Sequence, residues 1–381
     1  MYSKETIDNL YNLVATNIDI SDEMFEAAEE EYTKLGNWID DVTPDYQISI
    51  YPQGSFALGT VVRPISNEDD YDLDIVCQFK QSYGLTAKQL KVDVIKPLLT
   101  SYKKTTREIE EKRRCWHLEY ADVPHFHMDV IPAYALATSI NITDHDEEKD
   151  MYTYIGSNPS GYITWFFERC AKQRTRLYEQ YIKEHKKVVA QADVENVKRR
   201  KIKTPLQRVI QILKRHRDVM FQNDDSGNKP ISIIITTVAA SLYNEEDNIY
   251  DALSNILSNA IRWIDQHKID GQYFIENPSY AGENFADKWN THPERAEAFF
   301  KWVKQATMDL VDESLYGNNR ISMGMHIRRV FGDKTGITVF TTLAEKDHAD
   351  IKNGVLKVST ATGALASTGT VKVMENHHHG E

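Results

Sequence analysis

The sequence predicts an α+β protein with two lobes, in which a mixed sheet flanked by helices is followed by a helical bundle. Segments that alternate apolar and polar residues fall in the first third of the 381-residue chain. Beyond residue 160, apolar side chains recur at helical spacing instead. The chain is also longer than most single domains. We therefore expect a mixed domain at residues 1–160, a mainly helical lobe at 161–350 and a flexible tail at 354–381.

The first lobe begins with a predicted amphipathic helix and continues into short strands. Apolar residues recur at helical spacing from Asp22 to Ile39, and Ser21 or Asp22 can cap the helix start. We expect this long helix to run along the protein as a spine. Alternation of apolar residues and β-formers then predicts four strands with one helix between the second and third. The strands are Tyr46–Tyr51, Tyr71–Phe79, Trp116–Tyr120 and Phe126–Ile131, and the helix is Ala87–Tyr102.

The second lobe is predicted to consist of helices that begin after a turn at Asn158–Gly161. Pro205 and Pro230 lie where the first turn of a helix tolerates proline. Beyond Gly354 the residues are small and polar, which predicts the flexible tail. The predicted helices are Tyr162–Gln191, Pro205–Phe221, Ile231–Tyr243, Ile249–Gln266 and Pro293–Glu313.

The composition favours a globular protein of the cytoplasm. With 41% hydrophobic and 27% charged residues, the chain is neither disordered nor of low complexity. The longest apolar stretch, Ile231–Tyr243, is too short for a membrane span, and the first residues do not form a secretory signal. Three widely spaced cysteines argue against a disulfide framework and against a cysteine-based zinc site.

The distribution of charge favours a small polyphosphate ligand over a long nucleic acid. The net charge is −12, which disfavours stable binding to a polyanion. Between Arg169 and Arg217, however, 16 basic residues stand against 4 acidic ones. A solvated helix face is the alternative interpretation of this basic region.

A glycine-serine turn at the end of the first predicted strand is a candidate phosphate site. Gln53, Gly54 and Ser55 lead from that strand into a short helix, where backbone N–H groups and a hydroxyl can receive phosphate oxygens. Gly54 also allows a close approach to the backbone. In the next strand, Asp72 and Asp74 share one face because side chains two residues apart in a strand point the same way.

A third carboxylate is predicted on a neighbouring strand. Phe126, Met128 and Val130 alternate toward the core, which leaves His127 and Asp129 on the opposite face.

Adjacent carboxylates repel one another unless a cation lies between them, and Mg²⁺ prefers oxygen ligands. Asp72, Asp74 and Asp129 therefore predict a site for two metal ions, one to activate a hydroxyl and one to carry a triphosphate. His127 is either a residue that supports these ligands or only a polar strand residue.

Three segments together closely resemble the nucleotidyltransferase signature of the polymerase-β superfamily. They are GSFALGT at 54–60, DYDLDIV at 70–76 and HMDVIPA at 127–133. More narrowly, the sequence resembles the bacterial CD-NTases, the cyclic-oligonucleotide synthases of CBASS anti-phage defence, which are relatives of animal cyclic GMP-AMP synthase and oligoadenylate synthetase. The resemblance implies a polymerase-β-like core joined to a helical bundle, with the active site in the cleft between the lobes.

The same resemblance assigns roles to individual residues. It implies that Gln53, Gly54 and Ser55 hold the donor triphosphate, and that the three aspartates bind two Mg²⁺ ions, for which Mn²⁺ can substitute. Lys214 resembles the family's triphosphate-contacting lysine, and Ser232 resembles its polar partner at a helix start. A solvated lysine and a simple helix cap are the alternatives. The segments Asn277–Pro278 and Glu283–Asn284 resemble a stretch of the family that we interpret as structural.

We expect from this a template-independent enzyme that condenses nucleoside triphosphates into a cyclic di- or trinucleotide, releases pyrophosphate, and supplies a separate effector. A linear oligonucleotide synthase, an RNA-tailing enzyme and a protein-nucleotidylating toxin use the same chemistry and remain alternatives. A non-enzymatic sensor would lack a metal ligand, whereas all three aspartates are present. The tail would suit capture by a ubiquitin-transfer-like partner. It is alternatively a frayed terminus or, given His377–His379, an expression remnant.

Overall fold

The computed structural model describes residues 4–66, 71–102, 106–120, 126–184, 202–312 and 320–355, with short segments at 357–358, 365–366 and 371–373. Within these ranges the chain forms a mixed sheet with flanking helices and a helical lobe, as predicted. No helix among the described residues combines the length and the apolar character that crossing a membrane requires.

Two helices precede the sheet, and they belong to different parts of the core. Helix α1 (Lys4–Asn17) packs in the helical lobe, where the Tyr11 hydroxyl donates to the carbonyl oxygen of Leu310 at 2.6 Å. Helix α2 (Asp22–Val42) is the predicted spine helix, and it packs on the sheet. The side-chain oxygen of Ser21 accepts a hydrogen bond from the first turn of α2, so Ser21 is its cap.

Among the described residues, seven strands form one mixed sheet in the order β1-β2-β5-β4-β3, and β6 joins β5 to β7. Strands β2 and β5 are parallel, whereas the other pairs are antiparallel. All four predicted strands are present, and β3, β6 and β7 are additional. The strands are β1 (Ile48–Pro52), β2 (Tyr71–Phe79), β3 (Thr106–Glu111), β4 (Trp116–Tyr120), β5 (Phe126–Ala135), β6 (Ile140–Asp146) and β7 (Met151–Ser157).

Two short helical segments connect the strands. Helix α3 (Gly54–Leu58) follows β1 directly. A single helix was predicted over Ala87–Tyr102, but the structure has a π-helical segment at Gln89–Ile95 that leads into α4 (Lys96–Ser101). Pro97 lies in the first turn of α4 and has no N–H to donate to the preceding turn. A change of hydrogen-bond register before the proline accommodates this missing donor.

Within the described ranges, the helical lobe contains eight further α-helices. The predicted helix that begins at Tyr162 is two helices, and Arg169 between them donates to the carbonyl oxygens of Ala240 and Tyr243 at 2.9 and 2.8 Å. The predicted ends at Gln191 and Glu313 lie outside the described residues. The helices are α5 (Pro159–Glu168), α6 (Ala171–Glu184), α7 (Pro205–Met220), α8 (Ser232–Leu242), α9 (Ile249–Gln266), α10 (Pro293–Leu310), α11 (Arg320–Phe331) and α12 (Asp333–Lys352).

In the part of the chain that the structure describes, buried apolar side chains form three clusters. The largest fills the helical lobe together with α1. The second lies between α2 and one face of the sheet and includes Leu35, Leu73 and Met128. A smaller third cluster includes Val76 and Ile131, nearer the carboxyl ends of β2 and β5. Since the second cluster covers one face of these two strands, their polar side chains lie on the other face.

The region predicted to be a flexible tail is described only in part. Strands β8 (Lys357–Val358), β9 (Leu365–Ala366) and β10 (Val371–Lys372) pair with one another in an antiparallel sheet. The remaining residues, including His377–His379, lie outside the described ranges. Much of the basic region after α6 also lies outside them. Flexibility of the tail and its capture by a partner therefore remain predictions.

Candidate active site

Gly54 lies against a catalytic candidate on the neighbouring strand. The N–H of Gln53 donates to the carbonyl oxygen of Asp74 at 2.8 Å, which brings the start of α3 alongside β2. Gly54 has a positive φ of 57°, and a Cβ built on it would lie 2.4 Å from Oδ2 of Asp74. The sequence predicted that Gly54 makes room for a ligand. In the structure the Asp74 carboxylate fills that space, so glycine is required both by the backbone conformation and by this contact.

The three predicted aspartates lie together on the polar face of the sheet. Asp74 on β2 pairs directly with Asp129 on the parallel strand β5, and Asp72 pairs with His127 in the same register. Their neighbours Leu73 and Met128 are fully buried on the opposite face, as the alternation predicted. Both strands therefore present carboxylates at the same depth of the sheet, because paired residues of adjacent strands share a face.

The electrostatics of this face favour a bound cation. The pKa of Asp74 is raised to about 7, first by burial and then by the charges of Asp129 and Asp72. Asp72 is accessible from the cleft but surrounded by protein atoms, and burial together with Asp129 raises its pKa as well. A divalent cation between the carboxylates would relieve both their desolvation and their mutual repulsion. The three aspartates thus fit a metal site of the kind that the sequence predicted.

Strand β4 adds two polar residues that the sequence analysis did not identify. His117 pairs with Asp129 and Glu119 pairs with His127 across the antiparallel β4–β5 register. The Nδ1 atom of His117 lies 2.7 Å from Oδ1 of Asp129. In the segment Trp116–Tyr120, alternation already places His117 and Glu119 opposite the apolar residues. The missing information was the strand register, which brings them beside Asp129.

Lys214 reaches the acidic face from the helical lobe. It lies on α7, is 7% exposed, and donates from Nζ to the carbonyl oxygen of Thr60 at 3.1 Å. Burial and the nearby charge of Arg217 lower the pKa of Lys214 to about 8. The charge of Lys214 acts on Asp72 and Asp74 in the opposite direction to burial. It lowers their pKa values, but burial and the neighbouring carboxylates keep them raised overall. A buried lysine therefore faces the aspartates, in contrast to the solvated-surface alternative.

Ser232 lies beside a second cation on α7. The Arg217 guanidinium donates from Nη1 to Oγ of Ser232 at 2.9 Å and to the carbonyl oxygen of Pro230 at 3.0 Å. The same guanidinium pairs with Asp218 at 2.7 Å, and Lys229 reaches that carboxylate at the same distance. The structure thus joins Ser232 to the cationic end of α7. No local sequence signal assigns Arg217 to this group, because the contact depends on how the start of α8 packs against α7.

Helix α7 also fixes the position of residues 58–63, which we call the α3 loop. Gln207 donates to the carbonyl oxygen of Leu58 at 2.8 Å, and Gln211 donates to that of Val61 at 2.7 Å. Arg215 donates to the carbonyl oxygen of Arg63. Together with the Lys214 contact, these hydrogen bonds hold the α3 loop against the helical lobe.

A buried ion cluster lies at the junction of α1, α2 and α7. The carboxylate of Asp19 accepts from Lys203 at 2.5 Å, from Arg208 at 3.1 Å and from Gln211 at 2.9 Å. Its two cationic partners are mostly buried, with side chains 7% and 18% exposed. Asp19 therefore connects the segment before the spine helix to the helix that carries Lys214.

The segments Asn277–Pro278 and Glu283–Asn284 form contacts consistent with the structural role we inferred. Asn277 donates from Nδ2 to Glu283 at 2.8 Å, and Ser157 at the end of β7 donates to the same carboxylate at 3.2 Å. These hydrogen bonds tie the last strand of the large sheet to the helical lobe.

Comparison with known proteins identifies relatives of this chain. Residues 48–134, which carry the α3 turn and all three aspartates, match the family described as Cyclic GMP-AMP synthase DncV-like, nucleotidyltransferase domain. The chain is 29% identical over 364 residues to the c-di-GMP synthase of Roseivirga ehrenbergii, which covers 92% of this chain and 91% of that protein. It is 25% identical over 303 residues to the cyclic dinucleotide synthase CdnG of Bradyrhizobium diazoefficiens, covering 75% of this chain and 70% of the relative.

A solved structure shows that the fold is shared as well. The Bradyrhizobium diazoefficiens CD-NTase CdnG in complex with GTP superposes with a TM-score of 0.70 over 88% of this chain and 98% of that chain, at 22% identity. The similarity therefore extends through both lobes and is not confined to the strands that carry the aspartates. Over most of its length the chain is thus similar to bacterial CD-NTases, and its residues 48–134 match the nucleotidyltransferase domain of the DncV-like family.

Proposed function

We propose that this enzyme is a cyclic dinucleotide synthase that uses GTP. The observation that carries the proposal is the meeting of three aspartates on β2 and β5 with a buried lysine from the opposite lobe. Such a site suits a triphosphate whose leaving group becomes a pyrophosphate. One relative is named a c-di-GMP synthase, and the structural neighbour was solved with GTP. These names favour two guanine nucleotides in the product.

In the proposed reaction, a ribose hydroxyl of one nucleotide attacks the α-phosphate of another. A new oxygen–phosphorus bond forms, the bond to the β-phosphate breaks, and pyrophosphate leaves. In a second transfer, the free ribose hydroxyl at one end of the linear intermediate attacks the α-phosphate at the other end, a second pyrophosphate leaves, and the ring closes. Because no covalent enzyme intermediate is needed, the protein acts by positioning the reactants and balancing their charge.

We assign the donor triphosphate to both sides of the cleft. Gln53, Gly54 and Ser55 lie at the start of α3, beside Asp74, and offer backbone N–H groups and one hydroxyl. Lys214 and Ser232 are on the helical lobe, where Arg217 donates to Ser232 and lies close enough to Lys214 for its charge to lower the lysine pKa. A phosphate between these groups would accept hydrogen bonds from the first lobe and charge from the second.

Asp72, Asp74 and Asp129 are the residues that would hold the metal ions. Mg²⁺ is the preferred ion because it binds carboxylate oxygens, and Mn²⁺ can take its place. When bound, such ions neutralise the triphosphate and lower the pKa of the attacking hydroxyl. His117 holds the Asp129 carboxylate by its Nδ1 contact, so it would fix the orientation of one ligand.

The form of the product separates this proposal from the alternatives. A linear synthase, an RNA-tailing enzyme or a nucleotidylating toxin would leave the product with a free end or attached to a macromolecule. A small cyclic product instead diffuses away, and a separate effector would read it, as in anti-phage defence.

The experiment is to incubate the purified chain with each labelled nucleoside triphosphate, and with mixtures, in the presence of Mg²⁺ or Mn²⁺. Products are treated with phosphatase and resolved by chromatography and mass spectrometry. We expect a phosphatase-resistant product with the mass of cyclic di-GMP. Asp72→Ala/Asp74→Ala should abolish it, whereas Asp40→Ala/Asp41→Ala, which changes two exposed carboxylates at the end of α2, should not.

Other outcomes would contradict the proposal in distinct ways. Phosphatase-sensitive chains would indicate a linear synthase, and label on added RNA or protein would indicate a different acceptor. A cyclic product without guanine would contradict only the choice of GTP. Product formation that survives Asp72→Ala/Asp74→Ala would remove the aspartates from the reaction.

A further inference from the structure

A second group of metal-binding side chains lies next to the three aspartates. One ligand atom from each of His117, Glu119 and His127 lies within 4.8 Å of the other two. Their positions follow from the sheet register, in which Glu119 pairs with His127 and His117 pairs with Asp129. Since β2 adds Asp72 beside His127 and Asp74 beside Asp129, the polar face carries two rows of three residues. The group of His117, Glu119 and His127 forms the end of this face nearer β4.

The donor atoms of this group differ in kind from those of the aspartates. Two imidazoles and one carboxylate are a ligand set that holds zinc in catalytic sites, where a fourth position stays open for water or substrate. Imidazole favours transition metals such as Zn²⁺ and Co²⁺, whereas Mg²⁺ favours oxygen ligands and retains bound water. The two groups should therefore select different ions although they are adjacent.

The contact between His117 and Asp129 supports metal binding by the histidine. Nδ1 of His117 lies 2.7 Å from Oδ1 of Asp129, which is a short hydrogen bond to a carboxylate. A carboxylate that accepts from one ring N–H fixes the orientation of the imidazole and makes its other nitrogen a more basic ligand, and metal-bound histidines almost always have such a partner. The ring of His127 stands beside that of His117, with centroids 4.4 Å apart. Both rings are therefore in place to share one ion with Glu119.

We propose that His117, Glu119 and His127 bind one divalent transition-metal ion of the Zn²⁺ and Co²⁺ class, with an open coordination position on the polar face. The ion would be linked to the aspartates through the hydrogen bond from His117 to Asp129. The proposal does not depend on which nucleotide the enzyme uses or on the shape of its product. It adds a nitrogen-containing site to a face on which the sequence predicted only carboxylate ligands.

Co²⁺ is the probe, because an ion bound by imidazoles in four- or five-fold coordination gives an intense visible band that octahedral Co²⁺ lacks. All proteins carry His377→Ala, His378→Ala and His379→Ala, since three adjacent histidines would themselves bind Co²⁺. Bound cobalt is measured by elemental analysis after dialysis, and the band by absorption. The variant that removes the site is Glu119→Gln/His127→Gln. Asp72→Asn/Asp74→Asn removes two carboxylates from the neighbouring site, and His292→Gln/Glu294→Gln removes an exposed His–Glu pair with a 3.3 Å contact.

We expect the visible band, and the equivalent of cobalt that produces it, in the parent, in Asp72→Asn/Asp74→Asn and in His292→Gln/Glu294→Gln. Any cobalt that the aspartates retain adds to the total without adding to the band. Glu119→Gln/His127→Gln should lose the band and that equivalent, while circular dichroism shows that it is folded. If that variant does not fold, His127→Gln alone tests the same ligand. A parent that binds no cobalt, a band that persists without Glu119 and His127, or a band that disappears with Asp72 and Asp74 would each overturn the proposal.

Discussion

The carboxylate of Asp74 lies in the space that a side chain on residue 54 would occupy, because a Cβ on Gly54 would be 2.4 Å from its Oδ2 atom. This relationship makes the glycine of the proposed phosphate turn a determinant of where one carboxylate of the proposed metal site sits. It also couples the two halves of the first-lobe site, since neither can shift without the other.

Gly54→Ala should therefore reduce activity more than a glycine-to-alanine change at another position of positive φ would. We expect about 1–2 kcal/mol of destabilisation from the positive φ, and a loss of activity on the order of 100-fold because the Asp74 carboxylate must move. Gly84→Ala is the matched control, since Gly84 also has a positive φ, of 74°, but has no atom within 4 Å of the added Cβ. Urea unfolding and product formation provide the measurements. Equal activity in the two variants would contradict the argument.

Asp74→Asn should make the metal-free protein more stable at alkaline pH. The folded pKa of Asp74 is about 7, above the ordinary value of 3.8. Stability from its protonated form is thus complete below the unfolded pKa and is lost as the pH rises through about 7. In EDTA, the variant should exceed the parent in unfolding free energy at pH ~8, and the difference should shrink toward pH ~5. Asp93→Asn, at an exposed position, should show no such trend. A difference that does not change with pH would contradict the raised pKa of Asp74, which burial and then the charges of Asp129 and Asp72 produce.

Lys214→Met should weaken binding of the donor nucleotide. A buried hydrogen bond from a cation to a phosphate contributes about 1.5–3 kcal/mol, so we expect the KM for GTP to rise roughly 10- to 100-fold. Initial rates of pyrophosphate release at varied GTP measure it. Lys304→Met, at an exposed position on α10, is the control and should leave the KM unchanged. An unaltered KM in Lys214→Met would argue against its role at the triphosphate.

Asp19→Ala should destabilise the junction between the lobes. It leaves Lys203 and Arg208 without their shared carboxylate in a mostly buried position, which costs about 3–5 kcal/mol in comparable cases. Asp265→Ala breaks the more exposed pair with Lys268 and should change stability by less than about 1 kcal/mol. Chemical denaturation measures both variants. Similar small effects would mean that water replaces Asp19 easily.

The sequence predicted correctly those strands and helices whose pattern of apolar residues matches the face that they bury in the fold. Tyr71–Phe79 and Trp116–Tyr120 alternate and are strands with those bounds, and Ile249–Gln266 is a helix with those bounds. Helix α1 was not predicted, although Ile7, Tyr11 and Val14 repeat at helical spacing. Strand β6 has little local signal. It carries the buried Asp144, whose charge is balanced by Arg113 at 2.8 Å. Arg113 lies in the turn between β3 and β4.

The same distinction applies to the site. Asp72, Asp74 and Asp129 could be grouped from strand alternation, because each lies opposite apolar neighbours on its own strand. The proximity of Lys214 to them depends on how α7 packs against the first lobe, and no local pattern specifies that. The contact between His117 and Asp129 depends on the β4–β5 register, which two short strands do not determine by themselves.

The hydrogen bonds from α7 to the α3 loop have a consequence for how this chain tolerates change. Gln207, Gln211, Lys214 and Arg215 all donate to backbone oxygens of the loop. A carbonyl oxygen is present whatever the residue, so point substitutions in the loop leave these acceptors in place. Insertion or deletion of a single residue would instead shift the acceptors relative to α7. The number of residues in the α3 loop, more than their identity, therefore sets how closely the two lobes approach across the cleft.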